Sequence, residues 1–464
     1  MEVLLTFAYG VVFYFIIRRS TFYKTEGVAS YLPGVIFLLK CISGILLGLL
    51  YTYYYTNHKD ADSFKFFTDS KFIFDTLLTR PKDFFRMLTG INGNSPDLLH
   101  YYMEMNSWLN LSPIYNDNRT IVRLNTFFRF FSFGHYYVHV VFLNFISFTG
   151  LFCLYKSFIN YTPEKKRELL FLTFLMPSMM FWGSGLLKDG LLISGFGIFI
   201  YSCSQLMKPF DYAQDKPFSN AQDKPFSNAQ DTSFSYSQSR RFTRRRIIFL
   251  LIGLTILVFT KAYVIIILFP GLIAWWITRN FKSAWKTVFT YVSIYGIIII
   301  IAFNLYHFND NYNVAAVLFY KQKNMVEIGD QHAARMIEPI NYECSGPSIL
   351  IHSPKAFLNT LFRPFFSDVN GNPLVLISAF ENLILGFLFL IVILFFKPPN
   401  REAISFLMFN ICMVVLLFVL IGLITPILGA IVRYRIIALP ALTFIILNFY
   451  DREKMMKKIR RLVN

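Results

Sequence analysis

The chain has 464 residues, of which 55% are hydrophobic, 19% are aromatic and only 16% are charged. This composition excludes an ordinary soluble protein, because several apolar runs approach the ~20 residues that cross a bilayer as one helix. The net charge of +18 does not indicate nucleic-acid binding, since excess Lys and Arg in a membrane protein usually lie in cytoplasmic loops. We therefore predict an all-α, polytopic transmembrane helix bundle.

The apolar runs predict about eleven transmembrane helices. They lie at 3–17, 31–56, 136–157, 168–184, 189–207, 247–260, 262–278, 287–304, 374–396, 403–424 and 430–449. Basic residues concentrate in every second loop, around Arg18, Lys165, Arg245, Lys282 and Lys397, and in the tail around Lys457. With eleven spans these loops share one face, which the positive-inside rule makes cytoplasmic. The sequence thus predicts a multi-pass protein of the cytoplasmic (inner) membrane, with an external N-terminus and a cytoplasmic C-terminus.

The predicted spans form two transmembrane regions, 1–207 and 247–464, joined by the segment 208–246. Within this segment the unit Ala213-Gln-Asp-Lys-Pro-Phe-Ser-Asn220 repeats once at 221–228 and then decays. Short polar units broken by proline cannot bury a core. We therefore predict that 208–246 is a disordered cytoplasmic linker.

Two long segments, 57–135 and 305–373, fall on the external face of this topology. The first alternates aromatic and polar residues, which is typical of helices that lie along the membrane interface. Its acids Asp69 and Asp75 are predicted to face solvent. The second contains several prolines and scattered charges, and it is predicted to form a small cap with helices of its own.

Candidate acids lie at two span boundaries on the same face. Asp60 and Asp62 come directly after the second predicted span. A carboxylate fixed at the top of a helix bundle can take the proton of an acceptor hydroxyl during group transfer; the alternative is an acid in a solvated loop. Lys188 and Asp189 lie in a short polar hinge between two apolar runs, where charges are costly unless they face water, protein or a ligand.

Five cations are predicted at span boundaries on this face, which the positive-inside bias should deplete. They are Lys188, Lys261, Arg363, Arg433 and Arg435. Arginine suits bidentate recognition of phosphate, whereas lysine offers a point charge. The collection predicts an anionic substrate at the outer leaflet. Lys40, which lies inside a span, is instead predicted to snorkel to the cytoplasmic end.

This combination resembles the bacterial multi-spanning glycosyltransferases of the GT-C type and the polysaccharide polymerases that are similar to them. The residues that carry the resemblance are Asp60 and Asp62, the hinge 177–189, Arg363-Pro-Phe-Phe with Glu381-Asn382, and 429–435 with Pro440. Two departures concern the acids: an extra helix precedes them, and they form Asp-Ala-Asp rather than an adjacent pair. The choice between Asp60 and Asp62 therefore stays open.

The resemblance implies an enzyme that moves a sugar from a polyprenyl-phosphate-linked donor to a hydroxyl of a glycan or lipid acceptor, in cell-surface polysaccharide or glycolipid assembly. By position, Asp60 or Asp62 would be the base and Asp189 the acid of the second loop. Lys188, Arg433 and Arg435 would hold the carrier phosphate. The sequence points to no cofactor, and it leaves open whether a divalent metal assists.

Two other functions remain as alternatives. An O-antigen-type polysaccharide polymerase or ligase would rely on Arg363, Arg433 and Arg435 more than on an aspartate base. A non-catalytic transporter or flippase of an anionic lipid-linked substrate would use midplane charges in broken helices and often has internal repeats. The sequence has no evident internal symmetry between spans, and its charges gather at one rim, which favours an outward-facing site.

Overall fold

The computed structural model describes residues 1–53, 61–108, 117–207, 229–331 and 334–463, with the backbone alone over 229–242 and at 310, 459, 462 and 463. In these ranges the regular secondary structure is helical and contains no β-strand. The prediction of an all-α protein is confirmed. Asp60 and the octapeptide units up to residue 228 lie outside the described residues.

The α-helices of these ranges are numbered in chain order. They are α1 Glu2–Arg19, α2 Leu32–Tyr53, α3 Asp62–Thr79, α4 Pro81–Thr89, α5 Leu99–Met103, α6 Asp117–Ser132, α7 Tyr136–Ile159, α8 Lys166–Phe174, α9 Pro177–Trp182, α10 Lys188–Met207, α11 Ala229–Thr278, α12 Ala284–Asn304, α13 Val314–Gln331, α14 Gly346–Phe362, α15 Pro373–Leu394, α16 Ile404–Ile424, α17 Leu428–Arg435, α18 Leu439–Asn448 and α19 Arg452–Val463.

Among the described residues, seven helices are long and apolar enough to cross a membrane, or eight if the bent pair of α17 and α18 forms one span. The seven are α2, α7, α10, the part of α11 from Thr243, α12, α15 and α16 with its preceding turn. Helices α7 and α10 are mostly buried at the centre, whereas α12 and α15 expose most of their apolar side chains. A helix that is apolar all round and exposed in this way is typical of a lipid-facing span. The chain is a multi-pass helical membrane protein.

Two predicted spans are broken in the structure. The run 168–184 is divided between α8 and α9, because Met176 precedes Pro177 and takes an extended conformation (φ −59°, ψ 130°) that a residue before proline favours. The last run is divided into α17 and α18, which meet at an angle of 64°. Both breaks put polar groups of the chain deep inside the bundle.

The two ends of the bundle differ in charge. At one end, the Phe158 ring of α7 stacks on Phe444 at 4.5 Å and lies 6.1 Å from Phe406. We call this end of the bundle the basic end, because its cations bond to backbone carbonyls or to acids of neighbouring elements. These cations are Lys156, Lys165, Arg167, Arg246 and Arg452. The opposite end, where α10 begins, is called the cluster end.

Helix α11 reverses its direction at Lys261, where the backbone leaves the helical conformation (φ −148°, ψ 85°). In the arm before Lys261, Arg246 donates to the Gln205 carbonyl at the basic end of α10 (3.1 Å). At its last residue, the Thr278 hydroxyl shares a hydrogen bond of 2.6 Å with Ser405, next to Phe406 of the basic end. Both arms of α11 therefore end at the basic end, and Lys261 lies at the cluster end.

Helices α3 to α6 pack around a core of their own, which includes Phe66, Ile73 and Trp108 and continues into α7. Asp69 is fully buried in it and accepts hydrogen bonds from the backbone N–H groups of Asn106 (2.8 Å) and Ser107 (2.7 Å). The prediction that Asp69 faces solvent is wrong, because the chain folds back to place these two unpaired donors beside it.

Helices α3 and α6 are held side by side by a buried arginine. Arg129 of α6 donates from Nε to the Ser70 hydroxyl (2.7 Å) and from Nη2 to the Phe67 carbonyl (2.6 Å) of α3. Burial lowers the pKa of Arg129 to about 10, so the side chain stays protonated at neutral pH. The contact fixes the relative position of two helices whose first residues both reach the cluster end.

Candidate functional site

Six charged side chains meet at the cluster end, and we call them the charged cluster. They are Asp62, Asp117, Lys188, Asp189, Lys261 and Arg433. They come from α3, α6, α10, the break in α11 and α17. Residues from almost the whole length of the chain are thus brought to one place.

Three helices begin in the charged cluster. Asp62, Asp117 and Asp189 lie in the first turns of α3, α6 and α10. The first backbone N–H groups of a helix have no partner within it, and the helix dipole is positive there, so a carboxylate at this position is stabilised. Local helix electrostatics therefore explains why an acid occurs at each of these three starts.

Arg433 bridges two of the acids. Its Nε donates to Oδ2 of Asp189 at 2.6 Å, and its Nη1 donates to Oδ2 of Asp62 at 3.1 Å. The Asp189 side chain is only 4% exposed, whereas the Asp62 side chain is 50% exposed. The first contact is a buried, charge-assisted hydrogen bond, and the second faces solvent, where an ion pair contributes at most ~1 kcal/mol.

Lys188 faces a different partner from its neighbour Asp189. Its Nζ donates to Oδ2 of Asp117 at 2.8 Å and to Oδ1 of Asn118 at 2.7 Å. Both partners belong to the first turn of α6. Lys188 thus ties α10 to α6, while Asp189 ties α10 to α17, and the two charges of the hinge have separate roles.

Lys261 is the cation of the charged cluster that has no ion-pair partner within the part of the chain that the structure describes. Its Nζ lies 4.2 Å from the centre of the Tyr434 ring and 5.9 Å from that of Tyr263. A cation over an aromatic face gains ~0.5–1 kcal/mol at an exposed site. Its charge also acts on Asp189. The Lys261 ammonium can therefore donate hydrogen bonds to an anionic ligand.

Aromatic rings line the charged cluster. Trp182, at the end of α9, lies 6.0 Å from the guanidinium carbon of Arg433, and Phe66 lies 5.7 Å from Nζ of Lys188. Together with Tyr434 they give the cluster flat apolar walls next to its charges. Such walls suit a ligand that has both a charged group and a ring with apolar faces.

The hinge before α10 is held by buried polar side chains. Lys40 of α2 is fully buried, and its Nζ donates to the Gly183 carbonyl and the Ser184 hydroxyl, both at 3.0 Å. From α7, Asn144 donates to the Ser184 carbonyl (2.8 Å) and Ser147 to the Gly183 carbonyl (2.9 Å). The prediction that Lys40 snorkels is wrong, because the break between α9 and α10 supplies acceptors inside the bundle.

This arrangement needs a glycine one turn after Lys40. A Cβ atom on Gly44 would come within 2.2 Å of the Ser184 carbonyl oxygen. That distance is far shorter than a normal contact, so any side chain would push the hinge away from α2. Gly44 therefore sets how closely the hinge packs below the charged cluster.

Two of the predicted phosphate-binding arginines lie elsewhere. Arg435, predicted at the external boundary of a span as a phosphate-binding residue, is fully buried and donates from Nη2 to Glu381 (2.9 Å) and Asn382 (2.7 Å) of α15. Arg363 pairs with Asp368 at 2.7 Å. Side chains two residues apart on a helix are rotated by ~200° about its axis. Arg433 therefore lies in the charged cluster, whereas Arg435 lies in the core.

Sequence reasoning missed two residues that the structure places at or beside the site. Asp117 lies in an Asp-Asn pair directly before an amphipathic run, and this helix-start pattern could have identified it. For Lys40, the only indication in the sequence is that it is a single cation within an apolar run. Among the described residues, no group of three or more His, Cys, Asp or Glu side chains is placed to hold a metal ion.

The chain matches no protein-family model, no curated protein and no solved structure.

Proposed function

We propose that the protein is a membrane glycosyltransferase that moves a sugar from a polyprenyl-phosphate-linked donor to an acceptor hydroxyl at the charged cluster. The observation that carries this proposal is Arg433, which lies between the buried Asp189 and the half-exposed Asp62. Arg433 is thus a fixed cation that could bind a phosphate, and it directly contacts a solvent-facing carboxylate that could accept a proton. These are the two groups that such a transfer needs.

The roles of the residues follow from their exposure. Arg433 and Lys261 hold the donor phosphate, and Asp189 holds Arg433 in place. The acceptor oxygen attacks the anomeric carbon, the bond between that carbon and the phosphate oxygen breaks, and the phosphate leaves with the bonding electrons. Asp62 takes the proton of the acceptor hydroxyl as general base. The carrier phosphate, the glycan or lipid acceptor and the surrounding membrane lipids are the partners.

The orientation and the span count belong to the same proposal. We place the cluster end outside the cytoplasmic membrane and the basic end in the cytoplasm, because cations collect in cytoplasmic loops. Eleven passes follow if the two arms of α11 cross separately and if α1, the α8–α9 pair and the α17–α18 pair cross once each. The end-to-end contacts of α11 support the first of these conditions.

The geometry favours an aspartate base over an arginine-centred polymerase or ligase. That alternative would draw on three arginines, but Arg435 is buried against Glu381, and Arg363 pairs with Asp368. Arg433 alone joins the charged cluster. A flippase is also less well supported, since Lys40, a cation buried within a predicted span, is bound to the hinge rather than to a path across the membrane.

The proposal is tested by replacing the two acids separately, Asp62→Asn and Asp189→Asn, in cells whose surface glycans and carrier lipids are measured by mass spectrometry. Both variants are expected to lose the glycan and to accumulate a lipid-linked intermediate. Asp75→Asn is the matched control, because Asp75 is exposed on the same helix as Asp62 but outside the cluster. If both cluster variants assemble normal glycans at normal protein levels, the proposed function is wrong.

A further inference from the structure

The two carboxylates on Arg433 are held very differently. The contact with Asp189 is short (2.6 Å) and buried, whereas the contact with Asp62 is longer (3.1 Å) and half-exposed. Removing a buried partner leaves an uncompensated charge, while an exposed partner is readily replaced by water or by another anion. Asp189 is therefore the permanent partner of Arg433, and Asp62 is the exchangeable one.

We propose that the phosphate of the donor displaces Asp62 from Arg433, so that donor binding itself releases the carboxylate that acts as base. This inference rests on the proposed function and adds an order of events to it. Before the donor binds, Asp62 neutralises the exposed edge of the guanidinium. After the donor binds, its phosphate accepts the hydrogen bonds of that edge, and the Asp62 carboxylate is released to contact the acceptor hydroxyl.

The guanidinium geometry supports a direct exchange. Arg433 uses Nε for Asp189 and Nη1 for Asp62. A phosphate group binds a guanidinium best through two parallel N–H···O bonds. With Nε occupied by a buried acid, the remaining edge is formed by Nη1 and Nη2, so a bidentate phosphate competes with Asp62 for Nη1.

Lys261 makes the exchange favourable. Its ammonium lies over Tyr434, the residue next to Arg433, and has no ion pair among the residues that the structure describes. With respect to the described carboxylates, it can therefore bind the same anion without giving up an ion pair. The donor phosphate is a diester with one negative charge, as on the carboxylate of Asp62, but it gains from two cations at once.

The consequence is a built-in coupling between binding and catalysis. While an Asp62 oxygen accepts a hydrogen bond from Arg433, that oxygen is not open to an acceptor hydroxyl. The Oδ2 atom of Asp62 therefore becomes available to the acceptor only when a donor phosphate occupies Arg433. Proton removal by this oxygen is in this way confined to the complex that holds the sugar to be transferred.

The test measures how tightly the full-length protein in detergent binds farnesyl phosphate, at fixed ionic strength, by isothermal titration calorimetry. Asp62→Asn removes the competing charge and is expected to bind the probe about two- to fivefold more tightly than the wild type, the range given by an exposed ion pair. Arg433→Lys is expected to bind more weakly, because lysine cannot present two parallel donors. Asp75→Asn is the matched control and is expected to leave the affinity unchanged.

Each outcome decides the inference. If Asp62→Asn binds farnesyl phosphate as the wild type does, or more weakly, the exchange is refuted, even when this variant has lost glycan assembly and the proposed function stands. If the wild type shows no binding, the exchange is refuted as well. Inorganic phosphate is titrated in parallel: tightening with both probes supports exchange with any phosphate group, and tightening with farnesyl phosphate alone supports exchange with a lipid phosphate.

Discussion

Arg433 and Arg435 lie two residues apart on α17 and have opposite surroundings. Arg435 and its partner Glu381 are both fully buried, and their N···O distance is 2.9 Å. Arg433 is partly exposed and lies between one buried acid and one exposed acid. One short helix therefore carries a cation that fixes the structure and another that is left able to change partners.

The buried arginine works as part of a network that joins four elements. Its Nη1 donates to the carbonyls of Thr360 (3.1 Å) and Arg363 (3.0 Å) at the end of α14. Glu381 of α15 also accepts from the backbone N–H of Ser178 (2.6 Å), in the first turn of α9. This network sets the position of α17, and hence the direction in which Arg433 points. The rigid part of the molecule thus supports the exchangeable part.

The largest effect is expected from Glu381→Gln, which leaves the Arg435 guanidinium buried without a negative partner. Breaking a buried pair in this way typically costs ~3–5 kcal/mol. The free energy of unfolding in detergent, measured by denaturant titration, should fall by that amount. The double variant Glu381→Gln with Arg435→Met is the control, and it should lose less, because both charges are removed. A loss below ~1 kcal/mol for the single variant would contradict the proposed role of the network.

A smaller loss is expected from Asp189→Asn, which removes the negative charge but keeps the shape of the side chain. A hydrogen bond to a charged group contributes ~1.5–3 kcal/mol, and Arg433 keeps Asp62 and some contact with water. The same denaturant titration measures it. If Asp189→Asn destabilises the protein as much as Glu381→Gln does, the distinction between the two arginines fails.

The smallest change in stability is expected from Lys40→Met. This variant loses two hydrogen bonds to the hinge but also removes a buried ammonium that has only neutral acceptors, so the two terms nearly cancel, to within ~1 kcal/mol. Glycan assembly should nevertheless fall about tenfold, because a misplaced reacting group can cost far more in rate than in stability. Assembly rate and unfolding are measured on the same variant. Wild-type assembly at normal stability would show that Lys40 does not position the cluster.

Much of the charged cluster could be predicted because span boundaries alternate between two faces. Lys188, Asp189, Lys261 and Arg433 are assigned to one face by their positions between apolar runs, and the structure brings them together with Asp62. The position of a residue at a span boundary does not, however, specify which side of the helix its side chain is on. Sequence reasoning therefore treats Arg433 and Arg435 alike, although a contact with the distant Glu381 separates them.

The errors on Asp69 and Lys40 have a common physical cause. In both cases the charge has a partner on a distant backbone segment, which the local sequence does not indicate. Asp69 binds N–H groups of Asn106 and Ser107, and Lys40 binds the hinge at Gly183. Snorkelling and solvation are the expected behaviour of a charge that lacks such a partner. The breaks in the chain that create these partners follow from tertiary packing.

The close packing of α10 against the first arm of α11 has a consequence for the octapeptide repeat in the connection between them. A Cβ atom on Gly253 would come within 2.7 Å of the Phe199 backbone, and Arg246 already bonds to Gln205. The two helices therefore meet at the basic end, whatever length of chain joins them. For a flexible connection, adding eight residues changes the loop-closure free energy by only roughly 0.2 kcal/mol. Adding or removing one octapeptide unit is therefore expected to leave the packing of α10 on α11, and with it the charged cluster, unchanged.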